Sequence, residues 1–188
     1  MKSGRSYDQT LRAQKAVETE VRVLEVAEAL FSRERFDRVT LEAVAREAGV
    51  TIPTVQRRFG NKEGLFVACA GRMRDRVVAQ RPLTPTADRR EALRQLLEHY
   101  EAEGARVWHF LRQEEDVPAL REGLAEGRRY HRAWVEAVFG RGDDARGDAL
   151  VAATDLSVWK LLRLDLGRSR AQVEHTMITM VDAIVGGS

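Results

Sequence analysis

A single cysteine, Cys69, stands among 188 residues, which excludes an intrachain disulfide and any Cys-x-x-Cys metal site. Its neighbours at helical spacing, Leu65 and Met73, point to inert packing. Aromatic residues are scarce at 6%. No apolar run approaches the length of a membrane span, and residues 1–20 lack the apolar core of a signal peptide, so no membrane is involved and the expected location is cytoplasmic. Charge of one sign is also lacking: a net charge of +2 cannot by itself argue for a polyanionic partner.

Motifs of chemistry are missing too. No HExxH, Gly-x-Ser-x-Gly, Walker A run or dinucleotide glycine fingerprint occurs. The histidines are His99, His109, His131 and His175, and the pair His99 and Glu103 at helical spacing lacks a third metal ligand. Glu114-Glu115 and Asp143-Asp144 lie beside turns, as solvated acids do. No enzyme, catalytic residue, metal or cofactor is expected; only residues scattered along the chain and assembled by folding would escape that search.

The most informative absence is local. From Gly49 to Lys62 there is no acidic residue, while Arg57, Arg58 and Lys62 are cationic. The surrounding stretch, Thr40 to Lys62, reads as two short helices joined by a tight turn. Val44, Ala45 and Ala48 give the first an apolar, close-packing stripe, and Gly49 ends it, because glycine takes a left-handed backbone without strain. Thr51 can cap the second helix, and Pro53 falls in its first turn, where a missing N–H costs nothing. Val55 and Phe59 point back to the core. This is a helix-turn-helix, whose second helix enters the DNA major groove. Gln56 can read adenine, Arg57 can read guanine, and Ile52 and Pro53 can touch a thymine methyl.

These residues carry a family resemblance. The run VLEVAEALFSRERFDRVTLEAVAREAGVTIPTVQRRFGNKEGLF resembles the DNA-binding domain of the TetR family of transcriptional regulators over about a quarter of the chain. The Phe-x-x-x-Thr approach, the Ala-Gly-Val turn and the Phe-x-x-Lys-Glu start of the fourth helix stand where that family has them. Two positions depart from it. Arg35 replaces a usual Gly. Gln56 replaces a usual Tyr that holds phosphate, which opens a base-reading role there instead. The resemblance implies an all-α chain of about nine helices, with a three-helix N-terminal helix-turn-helix domain and a C-terminal helical bundle.

Along the chain, residues 1–15 read as a flexible polar arm, residues 16–62 as the DNA-binding domain and residues 63–188 as a ligand-binding and dimerisation domain. Helix one is expected over about 16–33 with Val17, Val21, Leu24, Ala27, Leu30 and Phe31 on its buried face. Asn61 caps helix four, and RPLTPTA at 81–87 breaks the chain, Thr84-Pro85 starting the next helix. Helix five ends near Gly104, helix six covers about 105–113 and helix seven about 119–139. A loop covers 140–147, and helix eight runs about 148–166 until Gly167 stops it. Helix nine opens on a Ser169/Gln172 capping box.

The expected DNA contacts are therefore Ile52, Pro53, Thr54, Gln56 and Arg57 toward bases, and Thr40, Thr51, Arg58 and Lys62 toward phosphates. Trp108, His109, Tyr130, Trp134 and Trp159 supply the aromatic and polar groups that a small-molecule pocket uses, and equally those that a core uses. The last two helices carry a wide apolar surface, including Leu156, Leu162, Val173, Met177, Met180 and Ile184. In the resembled family such helices pair with their copies. The resemblance thus implies a homodimeric repressor on a palindromic double-stranded operator, released by an unidentified small-molecule effector. The competing reading is a helical small-molecule-binding protein or enzyme with a vestigial helix-turn-helix.

Overall fold

The computed structural model describes residues 3–83, 88–141 and 144–186, and every described regular element is helical. It divides into two compact units, Met1–Arg72 and Met73–Ser188, with the division inside one continuous helix. No helix among the described residues is long and apolar enough to cross a membrane.

In the N-terminal unit, α1 (Ser3–Arg33) is followed by a 3-10 turn at Phe36–Arg38, then α2 (Leu41–Ala48), α3 (Ile52–Phe59) and the start of α4 (Lys62–Gln80). The first helix begins at Ser3 and not near residue 16, so the stretch expected as an arm is helical over its described part. Its buried face also starts later. Val17 and Val21 are exposed, whereas Val23, Leu24, Ala27, Leu30 and Phe31 are buried. The reason is coverage: α2 ties to the C-terminal half of α1, where Arg33 pairs with Glu47. Phe31, Phe36 and Phe66 form the aromatic centre, stacked or edge-on with centroids 5.2–5.6 Å apart. Cys69 is buried, with its Sγ 3.8 Å from the Leu24 carbonyl.

In the C-terminal unit, α5 (Arg89–Leu111) and α6 (Pro118–Phe139) are followed by α7 (Asp144–Thr154), α8 (Leu156–Lys160), a π-helical stretch at Leu161–Asp165 and α9 (Arg170–Gly186). Leu93, Leu96, Leu97, Trp134, Leu150, Trp159 and Met177 lie in one core. Two expectations fail here. Helices five and six are one helix, because Gly104 is an interior contact and not a stop: a Cβ there would lie 2.6 Å from the Trp159 ring. Helix eight is broken at Asp155, whose carboxylate accepts from the Ser157 N–H and restarts the helix. The break leaves the Thr154 carbonyl to accept the Tyr100 hydroxyl at 2.9 Å. The helix start at Thr84-Pro85 and the loop residues Gly142 and Asp143 lie outside the described residues, while Gly167 ends the π stretch with φ 63° as expected. The Ser169/Gln172 box forms in both directions.

Candidate nucleic-acid interface

The turn between α2 and α3 is built from local signals. The Thr40 hydroxyl accepts from the Ala43 N–H at 3.2 Å and caps α2. Gly49 takes φ 65°, its N–H bonds the Arg46 carbonyl, and Val50 bonds back to Ala45, which together close α2 in a Schellman motif. Arg22 of α1 donates from Nε to the Ala48 carbonyl at 2.8 Å, satisfying one more carbonyl at that helix end. Thr51 precedes α3, but its hydroxyl does not cap the helix as expected. It pairs with the Thr54 hydroxyl at 2.9 Å, so the two satisfy each other on the surface.

Val55 is fully buried and anchors α3. Phe59 is only half-buried. Around the rest of the helix, Pro53, Gln56, Arg57 and Arg58 are exposed, with Ile52 and Thr54 half-buried between them. These side chains form one carboxylate-free face, but they are not equally available. Among the described residues, neither the Gln56 amide nor the Arg57 guanidinium has a hydrogen-bonded partner. Arg58 donates from Nε to Glu20 of α1 at 2.7 Å.

Lys62 is half-buried. Its ammonium bonds the Phe36 carbonyl at 2.9 Å and lies 4.7 Å above the Phe36 ring, fixing the turn before α2. Asn61 caps α4 through the Gly64 N–H at 2.8 Å. Two positioning residues escaped the sequence reading. Arg22 gives no local signal, since its partner is 26 residues away. Gly64 looks like an ordinary helical glycine, yet a Cβ there would lie 2.1 Å from the Phe59 carbonyl oxygen, so its lack of a side chain sets how closely α4 follows α3.

The aromatic residues expected in a pocket separate into two groups. Tyr130 and Trp134 lie against Arg81, whose guanidinium carbon is 6.0 Å and 5.5 Å from their rings. Trp159 donates to Glu101 at 3.0 Å, Trp108 lies under the Lys160 ammonium at 4.8 Å, and His109 stands beside Gln113. Trp134 and Trp159 are both core residues. Arg163 pairs with Glu101 at 3.0 Å.

Of the residues expected between copies, Leu156, Val173 and Met177 are buried in the unit's own core. Met180 is exposed, and Leu162 and Ile184 are half-buried. The apolar surface left on this part of the chain is Leu161, Leu164, Leu166 and Met180, between 37% and 53% exposed.

Residues 23–69 match the model of bacterial regulatory proteins, tetR family. No curated protein matches the chain. Among solved structures, a transcriptional regulator from Rhodococcus sp. Rha1 is similar over 89% of this chain and 96% of its own, with 21% identity and a TM-score of 0.70. The multidrug binding protein EbrR, complexed with imidazole, is similar over 87% of this chain and 89% of its own, with 25% identity and a TM-score of 0.62. A protein from Saccharomonospora viridis in complex with choline is similar over 89% of this chain and 96% of its own, with 22% identity and a TM-score of 0.59.

Proposed function

We propose that the chain, whose residues 23–69 match the bacterial regulatory proteins of the tetR family, is a DNA-binding transcriptional regulator that acts as a homodimeric, cytoplasmic repressor released from a palindromic operator by a small molecule. The observation that carries this reading is the exposed, acid-free face of α3, with Gln56 and Arg57 uncommitted. Two such faces, one per copy, would read half-sites about 34 Å apart. Ile52, Pro53, Thr54, Gln56 and Arg57 face bases in this reading. Thr40 and Thr51 face phosphates, and Arg58 and Lys62 reach phosphate only by leaving Glu20 and the Phe36 carbonyl.

The second copy would cover Leu161, Leu164, Leu166 and Met180, the apolar surface that the C-terminal core leaves exposed. Residues 63–188 would then be the ligand-binding and dimerisation part. Imidazole and choline, bound by the two similar proteins, support a small effector for this one. The effector must bind the operator-competent and incompetent states with different free energies, or nothing switches.

The test is selection of genomic fragments on the purified protein, followed by salt titration of the winner against scrambled DNA. A palindrome bound a thousand-fold or more over scrambled DNA is expected. Equal, salt-sensitive binding to all sequences would overturn the reading. Arg57→Ala should weaken the winner by about 1–3 kcal/mol; an equal loss on every sequence would make Arg57 a phosphate contact.

A further inference from the structure

We propose that the C-terminal unit binds a small organic carboxylate, whose anionic oxygens accept the free N–H groups of Arg81 beside Tyr130 and Trp134. The inference rests on the reading of that unit as the effector-binding part and adds the charge class of the effector. Arg81 is the residue immediately after α4 and is only 5% exposed. Its Nε and Nη1 are buried with no hydrogen-bond partner. Among the described residues no acid pairs with it, and the Tyr130 hydroxyl bonds its carbonyl, not its guanidinium.

The titratable groups around it supply no negative charge. Tyr100 is buried, which raises its phenol, and it donates to the Thr154 carbonyl. His99 and His131 are held neutral, lowered to about 3 and about 4 by burial first and by Arg81 next. A buried guanidinium with unmade hydrogen bonds and no counter-ion is among the least favourable arrangements a folded chain can hold. The faces of Trp134 and Tyr130 offset part of that cost but accept no N–H in the plane of the fork. A carboxylate matches that plane with two parallel bonds. One buried positive group is neutralised by one negative charge, whereas a phosphate dianion would leave an excess buried.

A second unsatisfied group belongs to His131, whose ring stacks on Trp134 with centroids 5.8 Å apart. The Thr154 hydroxyl donates to the Leu150 carbonyl at 2.7 Å, so it accepts from His131 Nε2 at 3.1 Å. That leaves His131 Nδ1 as a buried lone pair without a partner. A carboxylate that also carries a hydroxyl or N–H donor can satisfy it. Choline carries the wrong charge for this site.

The full-length protein should be titrated at constant ionic strength with benzoate, 4-hydroxybenzoate and phenylacetate, with benzamide and choline as neutral and cationic comparators. Tryptophan emission and Tm are the readouts. At least one carboxylate is expected to shift both, and benzamide and choline should bind at least tenfold more weakly. Arg81→Met should lose the response at least tenfold while its ligand-free Tm stays equal or rises; Arg81→Lys should retain a weakened response. No response to any carboxylate, equal binding of benzamide, a retained response in Arg81→Met or a lower ligand-free Tm for that variant would each overturn the site. Binding of a carboxylate without operator release would keep the site and sink ligand release. Operator release by choline and by no carboxylate would do the reverse.

Discussion

The two units treat their polar groups in opposite ways. In the N-terminal unit the interior and half-buried groups are matched: Arg22 to the Ala48 carbonyl, Lys62 to the Phe36 carbonyl, Asn61 to the Gly64 N–H. Gln56 and Arg57, which have no hydrogen-bonded partner among the described residues, face water. In the C-terminal unit the surface acids and bases are largely paired with each other, as in Arg74–Glu126 and Arg90–Asp182, while Arg81 and His131 keep unmatched atoms inside. A buried polar atom without a partner costs more than an exposed one, so chains retain it where a partner will come. In the proposed reading, the contrast separates a surface that meets DNA from an interior that receives a carboxylate.

Acid should break the contrast on one side only. All four histidines and all three tryptophans lie in the C-terminal unit. Burial holds His99 and His131 at about 3 and about 4 against 6.5 for the free group. Below about 6.5 the unfolded chain therefore binds protons that the folded one refuses, and stability falls with pH down to those values. The loss is up to about 1.4 kcal/mol per pH unit for each histidine. Between pH 6.5 and 4.5, tryptophan emission should report loosening before far-UV circular dichroism falls; simultaneous loss of both signals would refute the unit-specific effect.

Met177→Ala comes next, at about 2–5 kcal/mol of folding stability in urea, because Met177 is fully enclosed by its own chain. Met180→Glu should leave that stability within about 0.5 kcal/mol and convert dimers to monomers in sedimentation. The opposite pattern would return Met177 to the interface.

Gly64→Ala should cost about 1–3 kcal/mol and weaken the operator complex, since the Phe59 carbonyl must move away from the new methyl group. Full operator affinity in this variant would show that the spacing of α3 and α4 is not set there. The smallest effect sharpens the difference between a hydroxyl that caps a helix and one that bonds only another hydroxyl. Thr40→Ala should lose about 1 kcal/mol of stability, and Thr51→Ala less than about 0.5, because only Thr40 caps a helix. Equal losses in thermal denaturation would overturn that distinction.

The features legible in the sequence are those whose physics is local. Thr40, Gly49, Pro53 and Asn61 each answer to a backbone need within three residues, and the helix-turn-helix could be read from them alone. Features set by distant partners were not legible. Gly104 resembles a helix stop because its reason, Trp159, lies 55 positions later in the chain. Asp155 looks like any helical acid until the Tyr100 hydroxyl takes the carbonyl that the break exposes. Arg81 resembles the end of a helix before Pro82, and nothing near it shows that its side chain turns inward. Arg58 and Lys62 carry the charge expected at DNA, but Glu20 and the Phe36 carbonyl reach them first.

The π-helical stretch at Leu161–Asp165 has a consequence for how chain length can vary. Its Leu166 N–H reaches back to the Leu161 carbonyl, so the turn holds one residue more than an α-helical turn would. Removing one residue from an α-helix rotates everything after it by about 100°. Removing one here would instead restore ordinary helical winding and keep Gly167 and the start of α9 in phase with α8. The C-terminal unit thus carries, between its last two helices, a place where a deletion of one residue changes the contour of the surface without turning the core-facing side of α9 outward.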